Sequence, residues 1–212
     1  MSGENRKSKN VIMMEFFWEK LLRLKARMYT LSLSSGFYSF GRRSVIVPPL
    51  RFHGLREIQI GNNVLVLGNC WIQVVDADKE TDHPRIVIRD NATIGMGATI
   101  SAAQRIVIEE HVLLGRNVHI SDHGHEYEDV TEPIVKQGMR KIMEVRVGAE
   151  TWIGQNAVIL PGASIGRHCV IGANSVVNSV VPDYCVVAGA PAKVLKRYNP
   201  TTSRWEPALP YG

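Results

Sequence analysis

The sequence predicts an all-β solenoid in which short parallel strands stack coil upon coil, and three observations carry this prediction. An aliphatic residue recurs every six positions over most of residues 60–177. Gly often follows it, and the fifth position of the six-residue unit is small or modest in size, as in Ile153-Gly154-Gln155-Asn156-Ala157. A period of six fits neither an ordinary strand nor a helix. One unit is too short to fold alone, so the units must stack to bury a continuous core.

The first element is a predicted helix over residues 11–33. Glu15, Glu19 and Arg23 form a polar stripe along it. Two roles remain open: the helix packs on the open first coil or on a neighbouring subunit, or it lies on the inner membrane surface as a basic amphipathic helix. No apolar run approaches about 18 residues, so neither a membrane span nor a signal peptide is expected. The apolar face opposite the stripe consists of Met14, Trp18, Leu21, Leu22, Met28 and Tyr29.

The solenoid itself is expected over residues 41–190, after an N-terminal helical segment at 1–40 and before a C-terminal tail at 191–212. Because a coil of three six-residue units needs about 18 residues, surplus residues between coils must form loops, the larger ones at 78–87 and 126–146. Solenoids usually keep their specificity in loops of this kind. The predicted coils start at Ile60, Ile88, Ile108, Val147 and Ile165.

Charge is distributed unevenly along this chain of 212 residues, whose formal net charge is +5. Residues 1–30 carry seven Lys/Arg against three Glu, residues 31–192 carry fourteen against sixteen acidic residues, and residues 193–212 carry four against one. The solenoid is therefore slightly acidic, and nucleic acid is not an expected partner. The cysteines at 70, 169 and 185 lack a metal-binding spacing and are expected to be reduced packing residues, as in a cytoplasmic protein.

Three features together resemble a known family. The six-residue units, the segment Thr151-Trp152-Ile153-Gly154 and the closing segment Gly189-Ala190-Pro191-Ala192-Lys193-Val194-Leu195 are similar to the hexapeptide-repeat acyltransferases, in particular the maltose/galactoside and surface-polysaccharide O-acetyltransferases. The resemblance covers about residues 56–198. It implies a left-handed parallel β-helix, a homotrimer with active sites between subunits, and acetyl-CoA as the donor. The handedness rests on the resemblance alone, since left-handed crossovers are the minority among parallel strands.

The catalytic base is predicted in the segment from Ile120 to His125. Transfer of an acetyl group from a thioester to an alcohol needs a base, and histidine has a suitable pKa. In the sugar O-acetyltransferases that the chain resembles, the catalytic histidine follows a Gly, five residues after the aliphatic residue of its unit, which assigns the role to His125. His123 is the alternative, as base or acceptor contact, because on a strand it would share a face with His125. Asp122 and Glu126 are candidates for orienting the imidazole or binding sugar hydroxyls.

The same resemblance implies further site residues. It assigns Trp152 to the thioester end of coenzyme A and to the acceptor, and it makes the backbone N–H of Gln155 the oxyanion donor. The pantetheine arm would follow small residues at the coil corners, and two lysines of the tail would meet the 3′-phosphate. The corner residues are Gly154, Ala157, Gly172 and Ala173, and the lysines are Lys193 and Lys196.

A metal site is a competing hypothesis, because His119, His123 and His125 are clustered and carbonic anhydrases with the same solenoid use histidines and zinc. The spacing H-x3-H-x-H differs from the pattern of those relatives, which also lack the closing segment. No metal is therefore expected.

The sequence thus predicts an acetyl-CoA-dependent O-acetyltransferase that acts on a saccharide hydroxyl in surface-polysaccharide biosynthesis. The acceptor would be a small-molecule or lipid-linked saccharide. The expected location is the cytoplasm, at the inner membrane face if the N-terminal helix binds lipid. The alternatives are a xenobiotic (antibiotic) acetyltransferase, a nucleotide-sugar N-acetyltransferase, and a scaffold solenoid without enzymatic activity.

Overall fold

The structure, a computed structural model, describes residues 3–76 and 83–208. Within them, three sheets of stacked parallel strands form the three faces of one solenoid, preceded by one long helix. The predicted fold class, a left-handed parallel β-helix with an N-terminal α-helix and a short C-terminal tail, is confirmed. Residues 77–82, which include half of the first predicted loop at 78–87, lie outside the described residues, and Ile86 and Val87 at the end of that loop belong to a strand instead.

The strands are numbered in chain order and grouped by face. The first face contains Ser39–Phe40 (β1), Ile58–Ile60 (β4), Ile86–Ile88 (β7), Ile106–Ile108 (β10), Val145–Val147 (β15), Ser164–Ile165 (β18) and Val180–Val181 (β21). The second contains Val45–Ile46 (β2), Leu65–Val66 (β5), Thr93–Ile94 (β8), Leu113–Leu114 (β11), Trp152–Ile153 (β16), Val170–Ile171 (β19), Cys185–Gly189 (β22), Ala192–Asn199 (β23) and Arg204–Pro207 (β24). The third contains Arg51–His53 (β3), Trp71–Val74 (β6), Thr99–Ala102 (β9), His119–Ser121 (β12), Val158–Ile159 (β17) and Val176–Val177 (β20).

The aliphatic residues of the repeat stack in columns inside the solenoid. On the first face, Ile60 pairs with Ile88, Ile88 with Ile108, Ile108 with Val147, and Val147 with Ile165, so the predicted coil starts are correct. All five are buried, as are the small residues at the fifth position of each unit. The three cysteines are buried and free, which confirms their predicted packing role.

One further coil precedes those that the repeat predicts. Phe40, Ile46 and Phe52 lie in register with Ile60, Val66 and Ile72 and complete the first turn of the solenoid. The aliphatic repeat does not reveal this coil because two of its inward positions are Phe. The Phe37 ring packs against both phenylalanines, at centroid distances of 5.2 and 5.3 Å, and closes the open end.

The corners of the coils show why glycine occupies the second position of the repeat. The left-handed residue is the fourth of the unit, as at Asn117 (φ 55°) and Asn156 (φ 59°), where Asn is tolerated. The second position needs Gly because neighbouring coils touch there. A Cβ on Gly154 would lie 2.6 Å from the backbone nitrogen of Ala173 in the next coil.

The helix α1 (Gly3–Ser34) begins eight residues before its predicted start at residue 11 and attaches only by its C-terminal third. Ala26 and Thr30 are buried against the first coil, and the Thr30 hydroxyl accepts a 2.8 Å hydrogen bond from the Ile46 N–H at the exposed edge of β2. Every described side chain from Met13 to Lys25 is exposed. The residues of the predicted apolar face therefore do not pack on the first coil. Tyr29 is the exception, because it packs partly against the core.

The predicted loop 126–146 leaves the solenoid between β12 and β15, except that its last two residues, Val145 and Arg146, belong to β15. Gly124–His125 (β13) pairs with Met139–Arg140 (β14) as an antiparallel hairpin, and the 3-10 helix Ile134–Lys136 lies between them. A second 3-10 helix, Leu55–Glu57, precedes β4. At the other end the tail turns back after Gly189, and β23 and β24 add antiparallel strands to the second face.

Candidate active site

The Asp122 carboxylate organises the corner at the end of β12. It has no exposed surface, and it accepts backbone N–H hydrogen bonds from Ala103 (2.7 Å), Gln104 (2.7 Å) and Arg105 (2.6 Å) of the coil before it. Its carbonyl accepts the N–H of Met143 at 2.8 Å, which ties down the end of the loop 126–146. One buried residue therefore fixes three segments of the chain.

The same carboxylate orients His123. The imidazole Nδ1 lies 2.9 Å from Oδ1 of Asp122, and the His123 side chain is 10% exposed. Burial opposes ionisation of Asp122, but the hydrogen bonds from His123 and the three N–H groups hold its pKa below the ordinary value. An ionised Asp122 accepts the proton of Nδ1, so Nε2 of a neutral His123 is left as an acceptor. A buried carboxylate with this many donors cannot reach a substrate, so the substrate-binding role predicted for Asp122 does not fit its geometry.

His125 lies on β13, at the rim of the hairpin, and its side chain is exposed. Within the described residues its imidazole makes no hydrogen bond or ion pair, so it is free to meet a substrate. Glu126 is occupied by comparison: it lies 3.3 Å from Arg140 and accepts the N–H of Tyr127 at 2.9 Å. These bonds stabilise the hairpin that carries His125.

His119 is the third histidine of the predicted cluster. It lies on β12, in register with Thr99 and Val158, and burial, followed by the nearby His123, lowers its pKa. Within the described residues no three His, Cys, Asp or Glu side chains are arranged to hold a metal ion.

The corner between the second and third faces offers unpaired backbone donors. The N–H groups of Gln155 and Ala173 make no hydrogen bond within the described residues, and both residues are exposed. A Cβ on Gly115 would lie 2.7 Å from the Gln155 nitrogen and a Cβ on Gly154 would lie 2.6 Å from the Ala173 nitrogen, so glycine in the preceding coil leaves each donor uncovered by a side chain. Ala157 differs, because its side chain is fully buried, its N–H donates to the Gly154 carbonyl, and its carbonyl accepts from His119. A direct contact of Ala157 with a ligand does not fit this arrangement.

Trp152 lies on the second face, between Leu113 and Val170 in neighbouring coils. Its side chain points outward and is 51% exposed. Trp152 and Gln155 follow the second face, whereas His125 follows the third. Within the described residues no hydrogen bond or ring contact joins the two groups.

The two lysines of the tail lie on β23, with Lys193 opposite Ala188 and Lys196 opposite Val186 of β22. Both are exposed. They belong to the same sheet as Trp152, three strands away in the order β16, β19, β22, β23. Three strand spacings amount to about 14 Å.

Comparisons with known proteins identify the family. A family model described as bacterial transferase hexapeptide (six repeats) matches residues 144–179. A protein of Saccharomyces cerevisiae named "Putative acetyltransferase" is 37% identical over 134 residues, which are 62% of this chain and 67% of the yeast protein. The chain belongs to the hexapeptide-repeat acyltransferase family. The resemblance found in the sequence is confirmed.

Two other relatives of the chain are bacterial. The "Putative lipopolysaccharide biosynthesis O-acetyl transferase WbbJ" of Escherichia coli is 35% identical over 58% of this chain and 66% of its own length. A "Probable acetyltransferase" of Mycobacterium tuberculosis is 37% identical over 67% of this chain. The chain spans only 45% of the length of that mycobacterial relative.

Solved structures share the fold of the chain. A variant of AntD, an N-acyltransferase from Bacillus cereus, in complex with dTDP and coenzyme A superposes with a TM-score of 0.66 at 18% identity, covering 80% of this chain and 89% of that chain. A hexapeptide-repeat acetyltransferase from Vibrio cholerae in complex with acetyl coenzyme A gives a TM-score of 0.55 at 26% identity, covering 82% and 78%.

Sequence reasoning missed the central place of Asp122. It treated the carboxylate as one of several acidic residues beside the histidines, because the partners that bury it are backbone N–H groups from another coil. It also missed the Arg85–Glu57 ion pair, which is buried at the same corner. The Arg85 guanidinium also donates to the carbonyls of Val75 (2.8 Å) and Ala103 (3.0 Å). Backbone partners of this kind leave no signal in a sequence.

Proposed function

We propose that this acyltransferase is an acetyl-CoA-dependent O-acetyltransferase that acts on a saccharide hydroxyl in surface-polysaccharide biosynthesis in the cytoplasm. The observation that carries the proposal is the exposed corner with unpaired N–H groups at Gln155 and Ala173, next to an outward Trp152. Acyl transfer needs a donor at this kind of position, because negative charge develops on the carbonyl oxygen of the thioester. The relatedness to the Escherichia coli lipopolysaccharide O-acetyltransferase supports a saccharide acceptor.

The proposed chemistry uses two groups of the chain. His125 takes the proton of the acceptor hydroxyl as the hydroxyl oxygen attacks the thioester carbon. The Gln155 N–H donates to the carbonyl oxygen while it carries the negative charge, an interaction typically worth about 3 kcal/mol. His125 then returns the proton to the leaving sulfur. The acceptor gains an acetyl group, and coenzyme A leaves as the free thiol.

His123 has a supporting role in this proposal. Its Nδ1 faces Asp122 at 2.9 Å, so its Nε2 can accept a hydrogen bond from a second hydroxyl of the acceptor. The same geometry would also suit a base oriented by a carboxylate. The comparison of the two histidine variants below separates the two roles.

The donor would lie along the second face. Trp152 would contact its thioester end, Gly154, Gly172 and Ala173 would border its pantetheine arm, and Lys193 and Lys196 would meet its 3′-phosphate. Small residues allow close approach of a ligand to the backbone. Exposed lysines about 14 Å from Trp152 across the sheet suit an extended ligand.

The active site is proposed to form between copies of the chain in a homotrimer. The attachment of His125 and Trp152 to different faces of the solenoid supports this arrangement, since a neighbour packed against the solenoid would bring the third face of one chain against the second face of another. The loop 126–146 carries exposed apolar side chains that a neighbour would cover, including Val130 (95% exposed) and Val135 (85% exposed).

The test is acetyl-CoA turnover by the full chain against a panel of sugars, lipid-linked saccharides, nucleotide-linked amino sugars and acyl-accepting antibiotics. We expect turnover with a saccharide hydroxyl and predict that His125→Ala lowers kcat by about 10²–10⁴-fold without weakening coenzyme A binding. His123→Ala should mainly raise the KM of the acceptor. If His123→Ala abolishes turnover while His125→Ala stays near wild type, His123 is the base. If only amino sugars are acetylated, the proposed O-acetyltransferase activity is wrong and the chain is an N-acetyltransferase.

A further inference from the structure

Helix α1 carries a continuous apolar surface along most of its described side chains. On a projection of about 100° per residue, seven of its ten large exposed apolar side chains fall within an arc of about 100°, and Phe16, Trp18 and Leu22 lie outside this arc. We name this surface the apolar arc. It consists of Met13, Met14, Phe17, Leu21, Leu24, Met28 and Leu31.

The apolar arc faces away from the solenoid. The residues that attach the helix to the first coil, Ala26, Thr30 and Leu33, lie on the opposite side of the same projection. The arc runs into a cleft of about 720 Å³ whose walls include Leu24, Met28 and Pro48. Nothing within the described residues covers either feature, so a partner is needed to remove this apolar surface from water.

The charges around the arc indicate what that partner is. Lys20 and Arg27 border the arc on one side, and Lys25 borders it on the other. Glu15 and Glu19 lie on the far side, where Glu19 pairs with Arg23 at 3.4 Å. An apolar stripe with basic borders and distant acidic residues complements an anionic bilayer surface, into which the apolar side chains insert while the cations meet lipid phosphates.

We propose that the N-terminal helix binds the surface of an anionic membrane through the apolar arc, lying flat in the interface. No helix of the described residues has a stretch long and apolar enough to cross a bilayer, which leaves the interfacial orientation. A second copy of the helix is the less favourable occupant, because pairing through the arc would bring basic borders against each other. The proposal does not depend on the acetyl-transfer chemistry.

The experiment is flotation of the full-length protein with vesicles of phosphatidylcholine alone and of phosphatidylcholine with about 30% phosphatidylglycerol. We expect binding to the anionic vesicles to be at least about tenfold tighter and to weaken in about 0.5 M salt. Phe17→Asp/Leu24→Asp should abolish binding to both. Lys20→Gln/Lys25→Gln/Arg27→Gln should weaken binding to the anionic vesicles by about a hundredfold.

The matched control removes the same charge from the solenoid. Arg42→Gln/Arg43→Gln/Arg56→Gln should leave vesicle binding within about twofold of wild type, since these exposed arginines lie outside the helix. The proposal is overturned if the wild type does not float with anionic vesicles at low salt, or if the control loses as much binding as the helix variant. It is also overturned if Phe17→Asp/Leu24→Asp changes the oligomeric state without lipid, since that result identifies a second copy as the occupant. Turnover of a soluble acceptor by the helix variants reports the proposed function separately.

Discussion

At the scale of single residues, Asp122 is the residue on which the geometry of the site depends most. Its carboxylate accepts three backbone N–H groups and the His123 imidazole without any exposed surface. Asp122→Asn turns one acceptor oxygen into a donor that faces other donors. We predict a loss of about 2–4 kcal/mol in the free energy of unfolding at pH 7, measured by denaturant unfolding.

The loss should depend on pH in a defined direction. Because folding lowers the pKa of Asp122, its stabilisation is fully present above the ordinary value of 3.8 and is lost as pH falls through the lower folded pKa. The gap between wild type and Asp122→Asn should therefore be wide at pH 7 and narrow in acid below about pH 4. Asp129→Asn, an exposed control in the loop, should cost about 0.5 kcal/mol or less. An equal loss in both variants would contradict the role of Asp122.

The tail lysines give a second residue-scale prediction. If Lys193 and Lys196 meet the 3′-phosphate, Lys193→Ala/Lys196→Ala should raise the KM for acetyl-CoA about tenfold or more and leave kcat almost unchanged. With 3′-dephospho-acetyl-CoA, wild type and variant should differ little, because that donor lacks the phosphate. Equal losses with the two donors would show that the lysines hold the tail instead.

Among the site residues, the sequence predicted those that belong to recognisable motifs. It could not predict the contacts between coils that position them. The spacing from Ile120 to His125 and the segment around Trp152 are read along the chain. The separation of these two motifs on different faces, and the contact of Asp122 with residues 103–105, depend on which coils are neighbours. Ala157 is buried because it occupies the fifth, inward position of its unit. The sequence contains that signal, but the resemblance led us to assign Ala157 to the coenzyme A site instead.

At the scale of elements, the second-position glycines set how closely coils stack. A Cβ on Gly154 would lie 2.6 Å from the Ala173 nitrogen and 2.8 Å from the Ile171 oxygen, and backbone atoms cannot rotate aside. Gly154→Ala should therefore cost about 1–3 kcal/mol in the free energy of unfolding. Gly124→Ala is the matched control, since its Cβ would find its nearest neighbour, the Arg140 oxygen, at 3.9 Å. An equal cost for both would mean that close stacking is not what requires glycine.

The periodicity predicted the coils well because each inward aliphatic position recurs at a fixed interval and is buried. It could not predict the first coil, where Phe40 and Phe52 replace aliphatic residues next to Phe37. An end coil has a neighbour on one side only, so larger rings fill the space that another coil would occupy. The helix was predicted from its amphipathic pattern, yet the pattern does not say which side faces the solenoid. Thr30 and Ala26, both outside the apolar face, make that contact.

At the scale of the whole molecule, the helix, the solenoid, the loop 126–146 and the tail carry surfaces of different chemistry. The basic helix and tail flank a solenoid with fourteen Lys/Arg against sixteen acidic residues between positions 31 and 192. Exposed apolar side chains concentrate on the helix and on the loop 126–146. Each surface therefore has its own proposed partner: a membrane for the helix, a neighbouring copy for the loop, and coenzyme A for the second face and tail.

The central claim is an acetyl-transfer site completed by a neighbouring copy, and co-assembly of two inactive variants tests it most directly. His125→Ala and Trp152→Ala are each measured alone and then as mixed oligomers, with acetyl-CoA turnover as the signal. If each site takes its histidine from one copy and its tryptophan from the next, random cyclic assembly restores wild-type pairs in about a quarter of the sites. We predict turnover near a quarter of the wild-type rate. Mixed oligomers that stay as inactive as the separate variants would contradict a site shared between copies.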